Sequence, residues 1–259
     1  MTNNSVLITG GAKRIGRSTA LFLASKNYDV AISYNKSANE ARDLKSQIES
    51  EYGTKCLIYQ CDISKKDSCL KLIKDVLTDL PDLNLLINNA SIFNKSDPIE
   101  DFDDEYENNM AVHVRAPLVL GTEFAKNINS KNDTQGNIIN MLDKNISRNS
   151  TQFFYYLLSK KTLDNLTKML AMKLSPNIRV NAIAFGSVMS ASLQRTLKDN
   201  AELRANIESR TPLQRIAAPS ALADAAQFLA SEASSFMTGE IVTVDGGRTL
   251  LDSVSVPAH

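Results

Sequence analysis

Tyr156 and Lys160 stand four residues apart in a stretch of helical period, so one helix face carries both a phenol and an ammonium. A free phenol is a weak acid at neutral pH; an adjacent ammonium favours the phenolate and draws the pKa down towards the range of acid–base catalysis. Asp143 lies thirteen residues before the tyrosine. Its carboxylate can orient Tyr156 or exchange protons with a nitrogen heterocycle, or it can merely cap a loop. Tyr155 and Ser159 offer the same spacing in the neighbouring register, without the lysine.

A second group of residues suits phosphate. The run Thr9-Gly10-Gly11-Ala12-Lys13-Arg14-Ile15-Gly16 follows an apolar segment and opens a helical one. Glycines permit a tight turn, and a helix N-terminus presents free N–H groups, so Gly10, Lys13, Arg14, Ile15 and Gly16 are expected to hold a dinucleotide pyrophosphate. A site for NAD usually ends its second strand in an acid that binds the ribose 2′-hydroxyl. Here that place reads Ser33-Tyr34-Asn35-Lys36-Ser37. Tyr34, Asn35, Lys36 and Ser37, helped by Arg14, suit a 2′-phosphate instead, which predicts NADPH. Asp62 and Ile63, past the third strand, are expected at the adenine amino group. Asn89, Ala90 and Ser91 close the fourth strand at the sheet edge where ligands bind. Phe93 can cover a planar substrate, or pack in the core.

These residues need a scaffold that brings them to one edge. Apolar, β-rich runs at Val6–Thr9, Val30–Ser33, Cys56–Tyr59, Leu85–Ile87, Ile138–Met141, Val180–Ile183 and Ile241–Val244 alternate with helical stretches near 14–27, 38–51, 65–79, 103–129, 153–174 and 219–231. The alternation predicts an α/β fold: a Rossmann-type, doubly wound, seven-stranded parallel sheet with helices on both faces, in a single domain over 1–259. Continuous apolar runs such as Leu85-Leu86-Ile87 fit strands buried on both faces. The stretch 188–214 has few strand signals and reads either as a mobile substrate-covering segment or as a surface helical pair.

Composition narrows the partners. Lysine plus arginine and aspartate plus glutamate both number 29, so no net field draws nucleic acid or an anionic membrane. The start runs directly into Val6 without a signal-peptide pattern, and no apolar run reaches the roughly eighteen residues of a membrane span, which points to the cytoplasm. Cys56, Cys61 and Cys69, spaced by five and eight, match no zinc or redox pattern; with two histidines, no metal site is expected and the thiols are expected to be reduced.

Together with Asn88-Asn89-Ala90, Arg179-Val180-Asn181-Ala182-Ile183 and the Thr238-Gly239 to Asp245-Gly246-Gly247 segment, the turn and the Tyr156/Lys160 pair make the chain resemble the short-chain dehydrogenase/reductase family along almost its full length. Within it, Asp143 with Tyr156 and Lys160, the Arg-Ile-Gly turn and Ser91-x-Phe93 are similar to pteridine reductases, and Asp245-Gly246-Gly247-Arg248 to bacterial dihydromonapterin reductases. The resemblance implies NADPH-dependent reduction of a dihydropterin (dihydromonapterin or dihydrobiopterin, with dihydrofolate as a side activity). It puts Arg14, Ser91, Phe93, Asp143 and Tyr156 on the substrate, Lys160 on the nicotinamide ribose and Gly186 and Ser187 beside the nicotinamide. It also implies a homotetramer, or a homodimer, built through the helices at 103–129 and 153–174. Most of the family has serine at 143, which suits a carbonyl. Departures from the family pattern at His113, where an asparagine usually holds a relay water, at Asp143 and at Phe185 leave two other readings open. One is a carbonyl or 3-ketoacyl reductase; the other is a catalytically quiet NADP(H)-binding regulatory protein.

Overall fold

Along the first strand, β1 (Ser5–Ile8), successive side chains enter opposite cores: Val6 and Ile8 join one apolar cluster and Leu7 the other. The fourth strand, β4 (Leu85–Asn88), does the same with Leu85 and Ile87 against Leu86. A strand buried on both faces has no polar side, which is why these segments read as unbroken apolar runs. The structure, a computed structural model, describes residues 4–96, 102–131, 134–149, 151 and 153–252.

The remaining strands are β2 (Asp29–Tyr34), β3 (Cys56–Gln60), β5 (Gly136–Asp143), β6 (Ile178–Phe185) and β7 (Ile241–Val244). All seven pair in parallel in the order β3-β2-β1-β4-β5-β6-β7. One face is covered by α1 (Arg14–Ala24), α2 (Ala38–Tyr52) and α9 (Pro219–Ala230), through apolar residues at helical spacing such as Leu222, Ala226 and Leu229. The other is covered by α3 (Lys66–Asp79), α5 (Ala116–Asn129) and α6 (Phe154–Leu174), where Leu120, Phe124 and Ile128 line up on α5. The strand order reverses between β1 and β4, and a crevice opens there beyond the carboxyl ends of the strands.

One expectation is corrected. The long helix near 103–129 is divided: α4 (Phe102–Met110) passes into a wider π turn over Ala111–Arg115 before α5 begins. The stretch 188–214 folds as a helical pair, α7 (Ala191–Lys198) and α8 (Ala201–Ser209). Each is capped: the Leu193 N–H donates to Ser190 Oγ at 3.1 Å and the Leu203 N–H to Asn200 Oδ1 at 2.9 Å. Beyond β7, a short α10 (Arg248–Asp252) was not signalled by periodicity. Cys56, Cys61 and Cys69 are buried free thiols. Among the described residues no helix is long and apolar enough to cross a membrane.

Candidate active site

The chain leaves β1 through Gly10, at φ 62°, and re-enters regular structure at α1. A Cβ on Gly10 would stand 2.9 Å from Ala90 Cα, and one on Gly16 2.5 Å from the Gly10 carbonyl oxygen, so only glycine lets turn, helix and β4 end close up. Two side chains lock this contact. Asn89 Nδ2 donates to the carbonyls of Thr9 (2.8 Å) and Gly10 (3.1 Å), while Thr9 Oγ1 accepts from the N–H groups of Asn89 and Ala90, both at 3.0 Å. Lys13, the residue before α1, makes no side-chain cap, so the first-turn N–H groups remain donors for an anion. A dinucleotide pyrophosphate fits this cradle.

Arg14 is held at φ 52°, a left-handed conformation that costs an L residue roughly 1–2 kcal/mol. Lys13 pairs with Glu40 at 2.6 Å, an exposed ion pair of small energetic weight. Asp62 Oδ1 accepts from both the N–H (3.1 Å) and the hydroxyl (2.7 Å) of Ser64 and so shapes the turn into α3.

At the other side of the crevice β5 ends on Asp143, two residues beyond its expected limit. The carboxylate divides its work: Oδ2 accepts from the Tyr156 hydroxyl at 3.1 Å, and Oδ1 accepts from the Asn145 N–H at 2.7 Å, capping a 3-10 turn over Lys144–Ser147. Orientation of the tyrosine and loop capping are thus both true, one oxygen each. Lys160 does share the Tyr156 face, but its Nζ donates to the Met141 carbonyl at 2.8 Å and stands 5.8 Å from the phenol ring centre. The expected lowering of the phenol pKa is therefore reversed. Burial, then the Asp143 charge and hydrogen bond, push Tyr156 well above the ordinary value. Burial brings Lys160 down to about 8, against an opposing pull from Asp143. Tyr156 at neutral pH is a held proton, not a phenolate.

His113, in the π turn, is 1% exposed. Its Nε2 accepts from the Ile92 N–H at 3.3 Å, which leaves the ring proton on Nδ1; that nitrogen lies 2.8 Å from Ser159 Oγ, whose own hydroxyl donates to the Tyr156 carbonyl at 2.7 Å. Ser91 Oγ stands 2.9 Å from Nε2. Burial, with Lys160 second, lowers the imidazole to about 2, so it stays neutral. His113 is thus held as a buried, neutral ring bonded at both nitrogens.

Phe93 is 58% exposed, which removes the core reading. One face of its ring stacks on Phe153 (centroids 4.4 Å, interplanar angle 13°), and Tyr156 meets it edge-on at 4.8 Å.

A cleft of about 1000 Å³ joins these parts. Its wall includes Gly10, Lys13, Arg14, Ile15 and Gly16; Tyr34 and Asn35; Asp62 and Ile63; Asn89, Ala90, Ser91 and Phe93; and Asp143 with Tyr156. Lys36, Ser37, Lys160, Gly186 and Ser187 lie off that wall. Lys36 is exposed between β2 and α2, Lys160 is buried behind Tyr156, and the Gly186 N–H donates to the Val244 carbonyl at 3.1 Å while the Ser187 carbonyl accepts from the Ala217 N–H at 3.2 Å. Sequence reasoning missed Asn108 and Val112, which enter where the helix widens, and Leu193 and Thr196, three apart on one face of α7. The latter pair carried a readable signal, since it repeats at helical spacing.

A family model described as enoyl-(acyl carrier protein) reductase matches residues 10–249. The chain is 28% identical over 245 residues to the dihydromonapterin reductase of Enterobacter sp. strain 638, covering 95% of this chain and 96% of the relative. It is 30% identical over 242 residues to the 2-dehydro-3-deoxy-D-gluconate 5-dehydrogenase of Pseudoalteromonas atlantica, covering 93% and 94%. Among solved structures it is similar to the FolM alternative dihydrofolate reductase 1 of Brucella canis complexed with NADP, with a TM-score of 0.86, 30% identity, and coverage of 99% of this chain and 97% of that one.

Proposed function

As the chain belongs to the short-chain dehydrogenase/reductase family, we propose that it reduces a dihydropterin to the tetrahydro form with NADPH. It is an NADPH-dependent short-chain oxidoreductase. The observation that carries the choice of substrate is the bond from the Tyr156 hydroxyl to Asp143 Oδ2, on the wall of the cleft. An ionised carboxylate only accepts hydrogen bonds. It suits a substrate rich in N–H groups, as a pterin is, and repels the oxygen of a carbonyl that gathers negative charge during reduction.

NADPH, when bound, supplies the hydride. The chain's residues do the rest. The α1 N-terminus and Arg14 bind the phosphates, with Tyr34, Asn35, Lys36 and Ser37 towards the 2′-phosphate and Asp62 and Ile63 towards adenine. The Phe93 ring covers the pterin with the face that Phe153 leaves open. Tyr156 delivers a proton to the ring nitrogen next to the reduced carbon, and Asp143 aims the phenol while accepting from the pterin. Lys160, Gly186 and Ser187 serve the nicotinamide end, and Ser91 and Arg14 border the substrate. The pair α7 and α8 covers the bound pterin, supported by Leu193 and Thr196 on the cleft wall. The enzyme works in the cytoplasm, whose reducing conditions suit three buried free cysteines, and it assembles as a homotetramer through α4, α5 and α6.

NADPH oxidation measured with dihydromonapterin, dihydrobiopterin, dihydrofolate and simple ketones tests the reading. Wild type is expected to turn over dihydropterins and leave ketones untouched. Tyr156→Phe should lose on the order of 10²–10⁴ in kcat, and Asp143→Ser should lose pterin activity while gaining on ketones. Turnover of ketones alone by wild type would overturn the assignment in favour of a carbonyl reductase.

A further inference from the structure

Folding brings together two thiols that the sequence keeps eight residues apart. Cys61 follows β3 on the cleft wall, and Cys69 sits in the first turn of α3. Each sulfur reaches the backbone beside the other: Cys61 Sγ lies 3.5 Å from the Ser68 carbonyl oxygen, and Cys69 Sγ 3.3 Å from that of Ile63. These crossed contacts set the two side chains against each other. Both lie in one apolar core, whereas Cys56 belongs to the other, across the sheet. Cys56 is therefore no partner for either.

The surroundings favour oxidation of this pair. Arg115 Nη2 donates to the Ser64 carbonyl at 2.5 Å, within the turn that joins the two cysteines. A guanidinium beside a thiol favours the thiolate, which is the form that is oxidised. The hydrogen bond from Cys61 draws the Cys69 thiol down against burial, with Arg115 adding to it; the same bond, then burial, pushes Cys61 up. Cys61 keeps its proton, and Cys69 is the nucleophile. Cys61, Asp62, Ile63 and Ser64 form one stretch of the cleft wall, so a small oxidant entering the cleft meets the pair from the Cys61 side.

We propose that Cys61 and Cys69 form a reversible disulfide, and that closing it weakens NADPH binding because the bridge reshapes the turn carrying Asp62 and Ile63. The coupling to NADPH rests on the reading of those two residues as adenine contacts. The oxidant is a hydroperoxide. The Cys69 thiolate attacks one oxygen of hydrogen peroxide, the O–O bond breaks, and the departing hydroxide takes up the proton that Cys69 lost. The sulfenic acid then condenses with the Cys61 thiol, forming the S–S bond and releasing a second water. Two thiols are oxidised and one peroxide is reduced to two waters; an external thiol reverses the bridge by exchange.

The test uses the full chain, reduced and then exposed to hydrogen peroxide. Oxidised wild type is expected to lose two hydrogens in mass, and its peptide map to join Cys61 to Cys69, in Cys56→Ser as well. No bridge, or one through Cys56, overturns the proposal. NADPH affinity, followed by fluorescence titration, is expected to fall on the order of tenfold on oxidation, the weight of one bond to the cofactor, and to return with dithiothreitol. Cys69→Ser should bind NADPH alike before and after peroxide. A fall like that of wild type in this variant, or unchanged NADPH affinity in bridged wild type, overturns the coupling. Should the variant fail to fold, the reciprocal measurement needs only wild type: saturating NADPH should raise the midpoint potential of the pair by about 30 mV for a tenfold coupling. An unmoved potential overturns it. Asp62→Ala separates the two readings, since unchanged NADPH affinity in that reduced variant means that the adenine reading has failed and the peptide map alone decides the bridge.

Discussion

The identity of a side chain and the work it does separate most clearly at His113. Histidine normally titrates near neutrality, but here every ring nitrogen is spoken for and the ring is buried. With its pKa near 2 in the native state and about 6.5 when unfolded, it is uncharged when folded and charged when unfolded across the interval between. The unfolded chain then binds the extra proton, so stability is full above about pH 6.5 and falls as the pH drops below it, by about 1.4 kcal/mol per pH unit from this group. His113→Asn removes that share. Urea unfolding at pH 7 and pH 5 should show wild type losing more stability than the variant over that interval; parallel losses would contradict the neutral-imidazole assignment.

At the scale of elements, the turn between β1 and α1 places function ahead of comfort. Arg14 occupies a left-handed position where glycine would rest without strain. Arg14→Gly should relieve roughly 1–2 kcal/mol of strain, offset in part by the greater freedom of glycine in the unfolded chain. The melting temperature is expected to hold or rise while NADPH affinity, followed by fluorescence titration, falls. A large drop in melting temperature would show that the side chain holds the turn together. The strands were legible because burial on both faces leaves an apolar run in the sequence. The break in the helix at Ala111–Arg115 was not, since buried Val112, Ala116 and Leu120 keep a four-residue spacing across a single widened turn. The Tyr156/Lys160 spacing reveals a shared face but not where the ammonium bends. That is settled by the Met141 carbonyl on β5, far away in sequence.

For the whole molecule the outer face of α6 matters most. Phe154, Leu158, Met169 and Met172 are exposed there, the last at 85%, and Leu118 is exposed on α5. Spacings of four, eleven and three residues put the α6 side chains along one stripe. Lys161 and Asn165 lie between the two apolar pairs on the same face, and exposed apolar groups with a polar margin of this kind mark contact surfaces. In the proposed tetramer Met172→Glu buries a charge at that contact. Light scattering should report a smaller assembly for the variant than for wild type, with the monomer's far-ultraviolet circular dichroism retained. Equal masses would remove α6 from the interface.

The end of β5 has one more consequence. Asp143 is aligned with Phe185 on β6, and the backbone around it is fixed by a ladder running from Gly136 onwards. The ladder is backbone only, so the strand itself does not depend on the side chain at 143, whose one structural duty is the cap on the Asn145 N–H. On the proposed reading, exchange of this one codon changes the chemistry the pocket recognises while the strand ladder stays and a single turn cap is altered.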